Sequence, residues 1–277
     1  AHPEDIPVRF PFSLTSLWEL IDKYPEATIL AGGSDLLVWL RHKRIAPSVL
    51  ISIERIDELH GITENDREVR IGSATSHETV LESRITRRYF PVLSQALQVL
   101  GSPHIRHIGT LGGNVATASP AGDCLPPLTV LDATGGLKSA SAPRLVPVGS
   151  FFIGPGQTLM QPGEIISAVI IPKVGEGSVQ YFEKVGLRQS MACSVASLAV
   201  LLIPNEDRTI VSARLPELES ALVGRPLTFP VLEELRPLVA RDVSPVTDVR
   251  ATADYRRHVA ANLLLRLAEL DFPASDR

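Results

Sequence analysis

The stretch Gly109-Thr110-Leu111-Gly112-Gly113-Asn114-Val115-Ala116-Thr117-Ala118-Ser119-Pro120-Ala121-Gly122-Asp123 decides how this chain reads. Little in it can fill a core. Thr110, Asn114, Thr117, Ser119 and Asp123 offer hydroxyls, an amide and a carboxylate, while Gly112 and Gly113 let the backbone approach a partner with no Cβ in the way. Buried for its own sake, so polar a segment would leave backbone groups without partners. A ligand rich in acceptor oxygens, such as the phosphates of a nucleotide, would supply them. On these residues alone a surface cluster of turns remains the alternative.

A second glycine loop, Ala31-Gly32-Gly33-Ser34-Asp35, shifts the balance. It follows the apolar run Ala27-Thr28-Ile29-Leu30 and precedes Leu36-Leu37-Val38-Trp39-Leu40, which reads as a helix. Strand, glycine turn and helix start is a geometry that turns free N–H groups toward an anion. The loop is neither the G-x-G-x-x-G dinucleotide fingerprint nor a P-loop, since no Gly-Lys-Ser/Thr follows.

Taken together, the two loops resemble the paired flavin-binding motifs of the FAD-binding (medium) subunit of molybdenum hydroxylases, the xanthine dehydrogenase and carbon monoxide dehydrogenase family. Ala31–Asp35 matches its Ala-Gly-Gly-Thr/Ser-Asp loop, and Thr110–Asn114 its Thr-Ile/Leu-Gly-Gly-Asn loop. The resemblance extends over nearly the whole chain through Ile105-Arg106, Pro162-Gly163-Glu164-Ile165-Ile166, Ile171-Pro172, Phe182-Glu183-Lys184 with Arg188, and Asp254-Tyr255-Arg256-Arg257.

Bulk properties agree with that class. With 277 residues, 44% hydrophobic and 21% charged, the chain can bury the core of one large or two modest domains. A net charge of −4 gives no electrostatic reason to bind nucleic acid. The basic run Arg41-His42-Lys43-Arg44 falls at an expected helix end, where cations suit the dipole and solvent. No charged-then-apolar leader is evident, nor an apolar run of about 20 residues that could span a bilayer, so a cytoplasmic protein without membrane insertion is expected. Two cysteines, Cys124 and Cys193, cannot ligate an iron–sulfur cluster, which takes four ligands, and the seven histidines show no metal spacing. No metal site is expected on this chain, and Cys124 reads as a small packed residue.

Along the chain, Leu14, Leu17, Trp18 and Ile21 predict a first helix over Ser13–Lys23, with Ser16-x-x-Glu19 as its capping box. Strands at 27–30 and 49–53 flank a helix at 36–43, a βαβ unit whose strands should be parallel. From residue 57 the pattern predicts a hairpin turning at Asn65-Asp66, a short helix capped by Ser76, and a helix from Pro91 to Gly101 with Leu93, Ala96, Leu97 and Leu100 on one face. Residues 102–127 read as a long functional loop. Strands follow near 134–138, 144–148 and 164–171, and Lys173–Gly177 reads as a domain boundary. Beyond it come strands at 179–185 and 194–203 and helices at 230–240 and 252–270, the last with Val259, Leu263, Leu264 and Leu267 on its apolar face. The family usually has a further strand between Val211-Ser212-Ala213-Arg214 and the helix at Leu218, and here Arg214 runs almost straight into that helix.

The resemblance implies an α+β fold: a two-subdomain FAD-binding domain of the PCMH/vanillyl-alcohol-oxidase-like type over residues 1–175 (subdomains about 1–56 and 57–175), plus a smaller C-terminal domain, 176–277, with an antiparallel sheet and helices. It implies that backbone N–H groups of Gly32, Gly33, Ser34 and Asp35 bind the pyrophosphate of FAD, with Gly112, Gly113 and Asn114 opposite. Thr110, Thr117 and Ser119 would add hydroxyls, and Asp123 would hold a ribose or ribityl hydroxyl. Leu30, Leu36, Leu100, Ile108, Ile165 and Ile166 would wall the site, and Lys184 would reach and tune the flavin. Arg106 and Arg188 read as structural ion-pair partners. The function implied is electron transfer within a heteromeric complex. A large subunit would carry the molybdenum cofactor, a small one the 2Fe-2S clusters, and NAD+ or another acceptor would take the electrons. A purine or N-heterocycle substrate is the implied class. A stand-alone FAD oxidase and a non-enzymatic nucleotide-binding module are the alternatives.

Overall fold

The computed structural model describes residues 6–175, 177–188, 192–202 and 215–270. In the first unit, β1 (Val8–Arg9), α1 (Leu14–Lys23), β2 (Thr28–Leu30), α2 (Leu36–Arg41) and β3 (Leu50–Ser52) build a parallel sheet in the order β1-β3-β2. Each crossover contains a helix, as parallel pairing requires. Leu17 of α1 is fully buried against Ile51 and Ile56, with Leu14, Trp18 and Ile21 packed around it. The capping box is Ser13 with Ser16, not Ser16 with Glu19. The Ser16 N–H donates to Ser13 Oγ at 3.2 Å, and the Ser13 N–H to Ser16 Oγ at 3.2 Å. Ser16 already lies inside the first turn, so it can only answer a cap.

The second unit opens with β4 (Ile62–Glu64) and β5 (Glu68–Gly72), whose turn is set by Asn65 Oδ1 accepting the Arg67 and Glu68 N–H groups. Three helices follow: α3 (His77–Glu82), α4 (Arg84–Tyr89) and α5 (Pro91–Val99). The stretch expected as a loop is instead helical: α6 (Pro103–Ile108), α7 (Leu111–Thr117) and α8 (Leu125–Val130). Ser102 caps α6 ahead of Pro103, and Thr110 Oγ1 caps α7 by accepting the Gly113 N–H at 3.0 Å. These caps outweigh the poor helix propensity of the paired glycines. β6 (Thr134–Lys138), β7 (Arg144–Pro147), α9 (Val148–Phe151), the small β8 (Phe152–Gly154) and β9 (Gln157–Thr158) pair, and β10 (Ile165–Pro172) complete the unit. Its sheet is antiparallel, in the order β4-β5-β10-β6-β7. β10 is buried along most of its length, and its first two residues separate the cores. Ile165 packs with Leu17 and Ile51 of the first unit, Ile166 with the core of the second.

The third unit is an antiparallel hairpin, β11 (Val179–Gly186) and β12 (Ser194–Leu202), with α10 (Pro216–Leu222), α11 (Phe229–Asp242), α12 (Ala253–Leu263) and a 3-10 segment, Leu264–Glu269. Phe182, Ala199 and Leu201 join the core of the second unit, whereas Val200 and Leu202 pack with Leu218, Leu232, Leu264 and Leu267. In α12 Val259 is only half-buried, and Ala261 takes the core position. The segment Val211–Arg214 and the strand in question before Leu218 lie outside the described residues. Among those described, no helix is long and apolar enough to cross a membrane.

Candidate functional site

The first glycine loop leaves β2 and enters α2 through Gly33, whose φ of +72° is open to glycine and costly for other residues. Among the described residues, the N–H groups of Gly32, Gly33, Ser34 and Asp35 have no hydrogen-bond partner inside the protein. The Asp35 side chain does not cap α2. It crosses to the second loop, where its Oδ2 accepts the Thr117 hydroxyl at 3.1 Å, a bond between residues 82 positions apart. The two loops therefore meet. Between them lies a cavity of about 400 Å³.

Ser73 to His77 runs antiparallel beside Gly109 to Gly112 and fixes the second loop. The Gly112 N–H donates to Ser73 O at 2.9 Å, the Leu111 N–H to Thr75 O at 3.1 Å, and the His77 N–H to Gly109 O at 2.9 Å. This changes one implication of the resemblance. The N–H groups of Gly112, Gly113 and Asn114 are engaged by Ser73 O, Thr110 Oγ1 and Thr110 O, so free backbone donors come from the first loop only. The second loop presents side chains instead. Asn114 Oδ1 is buried with no partner.

Ala31, Gly32, Gly33, Ser34, Asp35, Leu36, Leu100, Thr110, Gly112, Gly113, Asn114, Thr117, Ile165 and Ile166 all line the cavity. Five implied residues do not. The Leu30 side chain packs beneath Gly33. Ile108 is half exposed, and its backbone carbonyl meets Gly32. Ser119 closes a turn by accepting the Ala121 N–H on its hydroxyl. Asp123 and Lys184 bind each other at 2.6 Å, with side chains 8% and 7% exposed, and Lys184 also donates to Val99 O. Burial raises the Asp123 carboxyl above its usual range against the pull of Lys184, and Asp123 Oδ1 has no partner. Beside it Cys124 is fully buried, its thiol pushed far up by burial and then by the Asp123 charge, which suits packing rather than reactivity.

The cavity also contains residues that the sequence did not assign to it: Ile105 and Glu164, quoted above only for the resemblance, and Trp39, Ser73, His77 and Met160 among others. Glu164 is held by Arg144 through two hydrogen bonds of 2.6 and 2.7 Å, which lower its carboxyl below the usual range. His77 is buried, and burial followed by the Arg106 charge lowers its pKa to about 4. Arg106 is itself paired with Glu78 at 2.7 Å, the structural role expected of it. A lone histidine after a helix cap carries no spacing signal, so only the fold brings it forward.

An α+β fold in which loops from two subdomains close on one cleft, with free amides and unpartnered polar atoms along it, defines an FAD-binding domain of the PCMH-like class. The family described as the FAD binding domain in molybdopterin dehydrogenase matches residues 5–174, and the CO dehydrogenase flavoprotein C-terminal domain matches residues 194–270. The chain belongs to the family of FAD-binding subunits of molybdenum hydroxylases, and is an oxidoreductase subunit of the xanthine dehydrogenase type. It is 30% identical over 262 residues to the xanthine dehydrogenase FAD-binding subunit of Escherichia coli O157:H7, covering 89% of each chain. It is 29% identical over 246 residues to the glyceraldehyde dehydrogenase medium chain of Sulfolobus acidocaldarius, covering 86% of this chain and 88% of that one. Its fold matches a chain of the reconstituted CO dehydrogenase from Oligotropha carboxidovorans with a TM-score of 0.89 at 27% identity, covering 96% of both.

Proposed function

We propose that this chain is the electron outlet of a three-component cytoplasmic hydroxylase. A large subunit would carry the molybdenum cofactor, a small one the 2Fe-2S clusters, and NAD+ would take the electrons. The substrate class is a purine or N-heterocycle, a reading supported by the xanthine dehydrogenase relative. FAD supplies the redox chemistry, since it can receive electrons singly and release them as a pair.

The residues of this chain bind, orient and exclude water. The free amides of Gly32, Gly33, Ser34 and Asp35 would hold the diphosphate, and Asn114 and Thr117 would add polar contacts from the facing loop. Leu100, Ile165 and Ile166, all nearly buried, form an apolar wall that keeps water from the ring. Asp123 and Lys184 stand outside the cavity lining and hold each other, so they would brace the chain behind the second loop rather than touch the cofactor. The observation that carries this reading is the Asp35–Thr117 contact, which brings two distant loops around one cavity.

Co-purification of the intact complex tests it, with FAD released on denaturation and molybdenum and iron measured in the same sample. FAD on this chain and both metals on its partners are expected, and anaerobic NADH should bleach the flavin. A colourless chain that takes up no FAD overturns the site, and a flavin indifferent to NADH overturns the acceptor.

A further inference from the structure

We infer that His77 holds bound FAD through a neutral Nε2–H donor directed at the diphosphate, an inference that rests on the FAD site proposed above. His77 is 4% exposed, yet its ring lines the cavity between the two loops. Its backbone is pinned to the second loop by the bond to Gly109 O. Gly109 also locates the ring. An atom at its missing Cβ would stand 3.0 Å from His77 Cδ2 and 3.3 Å from Ser34 Oγ. The Cδ2–Nε2 edge therefore faces the seam where Ser34, with its free amide, approaches.

The proton can be placed from burial. Nδ1 is sealed from solvent with no partner, whereas Nε2 is not sealed. Native proteins leave a buried acceptor orphaned more readily than a buried N–H, so Nδ1 is the bare acceptor and Nε2 carries the hydrogen. The ring is neutral, because burial and the nearby Arg106 disfavour the charged form. Arg106 turns its Nε and Nη1 to Glu78 and Leu100 O, and the histidine Nε2–H joins the free Ser34 amide at this seam. A neutral donor binds a phosphate oxygen by direction rather than by net charge.

The test titrates FAD into the apo chain by quenching of flavin fluorescence. A hydrogen bond to a charged group is worth enough that His77→Leu should weaken binding roughly ten- to hundredfold. His77→Gln sets an amide N–H near the Nε2 position and should bind within a few-fold of the native chain. Both apo variants should melt close to the native apo chain, which a packing role would not allow. NMR of the imidazole nitrogens in the native chain covers the case of a variant that fails to fold. Added FAD, and ADP as a diphosphate without flavin, should both shift the His77 signals while the ring stays neutral and protonated at Nε2. Unchanged FAD affinity in His77→Leu, or His77 signals that ignore FAD or ADP, overturns the inference. A native chain that binds no FAD overturns the site itself, so the two failures are distinct.

Discussion

Gly32 lies so close to Ile108 that a methyl group added to it would stand 1.6 Å from the Ile108 carbonyl oxygen. The obstacle is backbone, which cannot rotate aside as a side chain can. Gly32→Ala must therefore push the first loop off the second and open the seam that the Asp35–Thr117 bond closes. We expect the variant to purify without FAD and to melt lower, with a stability cost of about 1–3 kcal/mol or more, as overpacking usually brings. Thermal melting and FAD content check this together. An FAD-loaded Gly32→Ala chain of native stability would contradict the tight meeting of the loops.

His77 makes stability depend on acid. Its folded-state pKa of about 4 lies below the usual 6.5, so folding favours the neutral ring. That contribution is complete above about 6.5 and is lost as pH falls through about 4, amounting to about 3 kcal/mol. Denaturant unfolding across this window should show the native chain losing more stability than His77→Leu by about that amount. Parallel losses in the two proteins would refute it.

The Lys184–Asp123 pair is dry, and removing one partner leaves the other charge buried alone. Lys184→Met should cost about 3–5 kcal/mol at neutral pH. The Asp123 carboxyl is already raised by burial, so its neutral form suits the fold, full at low pH and lost as pH climbs through the folded value. The deficit of Lys184→Met should accordingly shrink in mild acid, where Asp123 accepts a proton, and Asp123→Asn in the same background should recover part of it. A deficit independent of pH would show that packing, not charge, dominates.

Arg256 ties the third unit together. Buried in α12, it donates to Val195 O at 2.8 Å at the start of β12 and to Asp248 Oδ1 at 2.7 Å. Arg256→Met keeps the bulk and removes both bonds. Hydrogen exchange should quicken in β12 and α12 while the parallel sheet of the first unit stays protected. Uniform protection would deny the arginine that local role.

Much of this was legible in the sequence, and for identifiable reasons. Periodicity found α1, α5 and the β11–β12 hairpin, where burial decides the residues. The glycine loops drew notice because their composition resists any use in a core. The helices within 102–127 were missed because glycine and proline mask helical pattern, although Ser102-Pro103 and Thr110 were sound cap signals. The site was half visible. Residues inside the motifs could be read off, but His77 and Ser73 come to the cavity by strand pairing with Gly109–Gly112, and a linear chain does not reveal which segment lies beside which. The mutual engagement of Asp123 and Lys184 is hidden for the same reason, since 61 positions separate them.

The hairpin of the third unit has one side in each of two cores. Gln180 and Gln95 stitch it further to α4 and α5, with Gln180 Nε2 donating to Tyr89 O at 2.9 Å and the Phe182 N–H to Gln95 Oε1 at 2.6 Å. It is a party wall rather than an annexe. A chain cut at Lys173–Gly177 would strip the plaster from the larger room, uncovering α5 and α8 where they pack against β11 and β12, so the nucleotide-holding portion should not survive as a free-standing fragment.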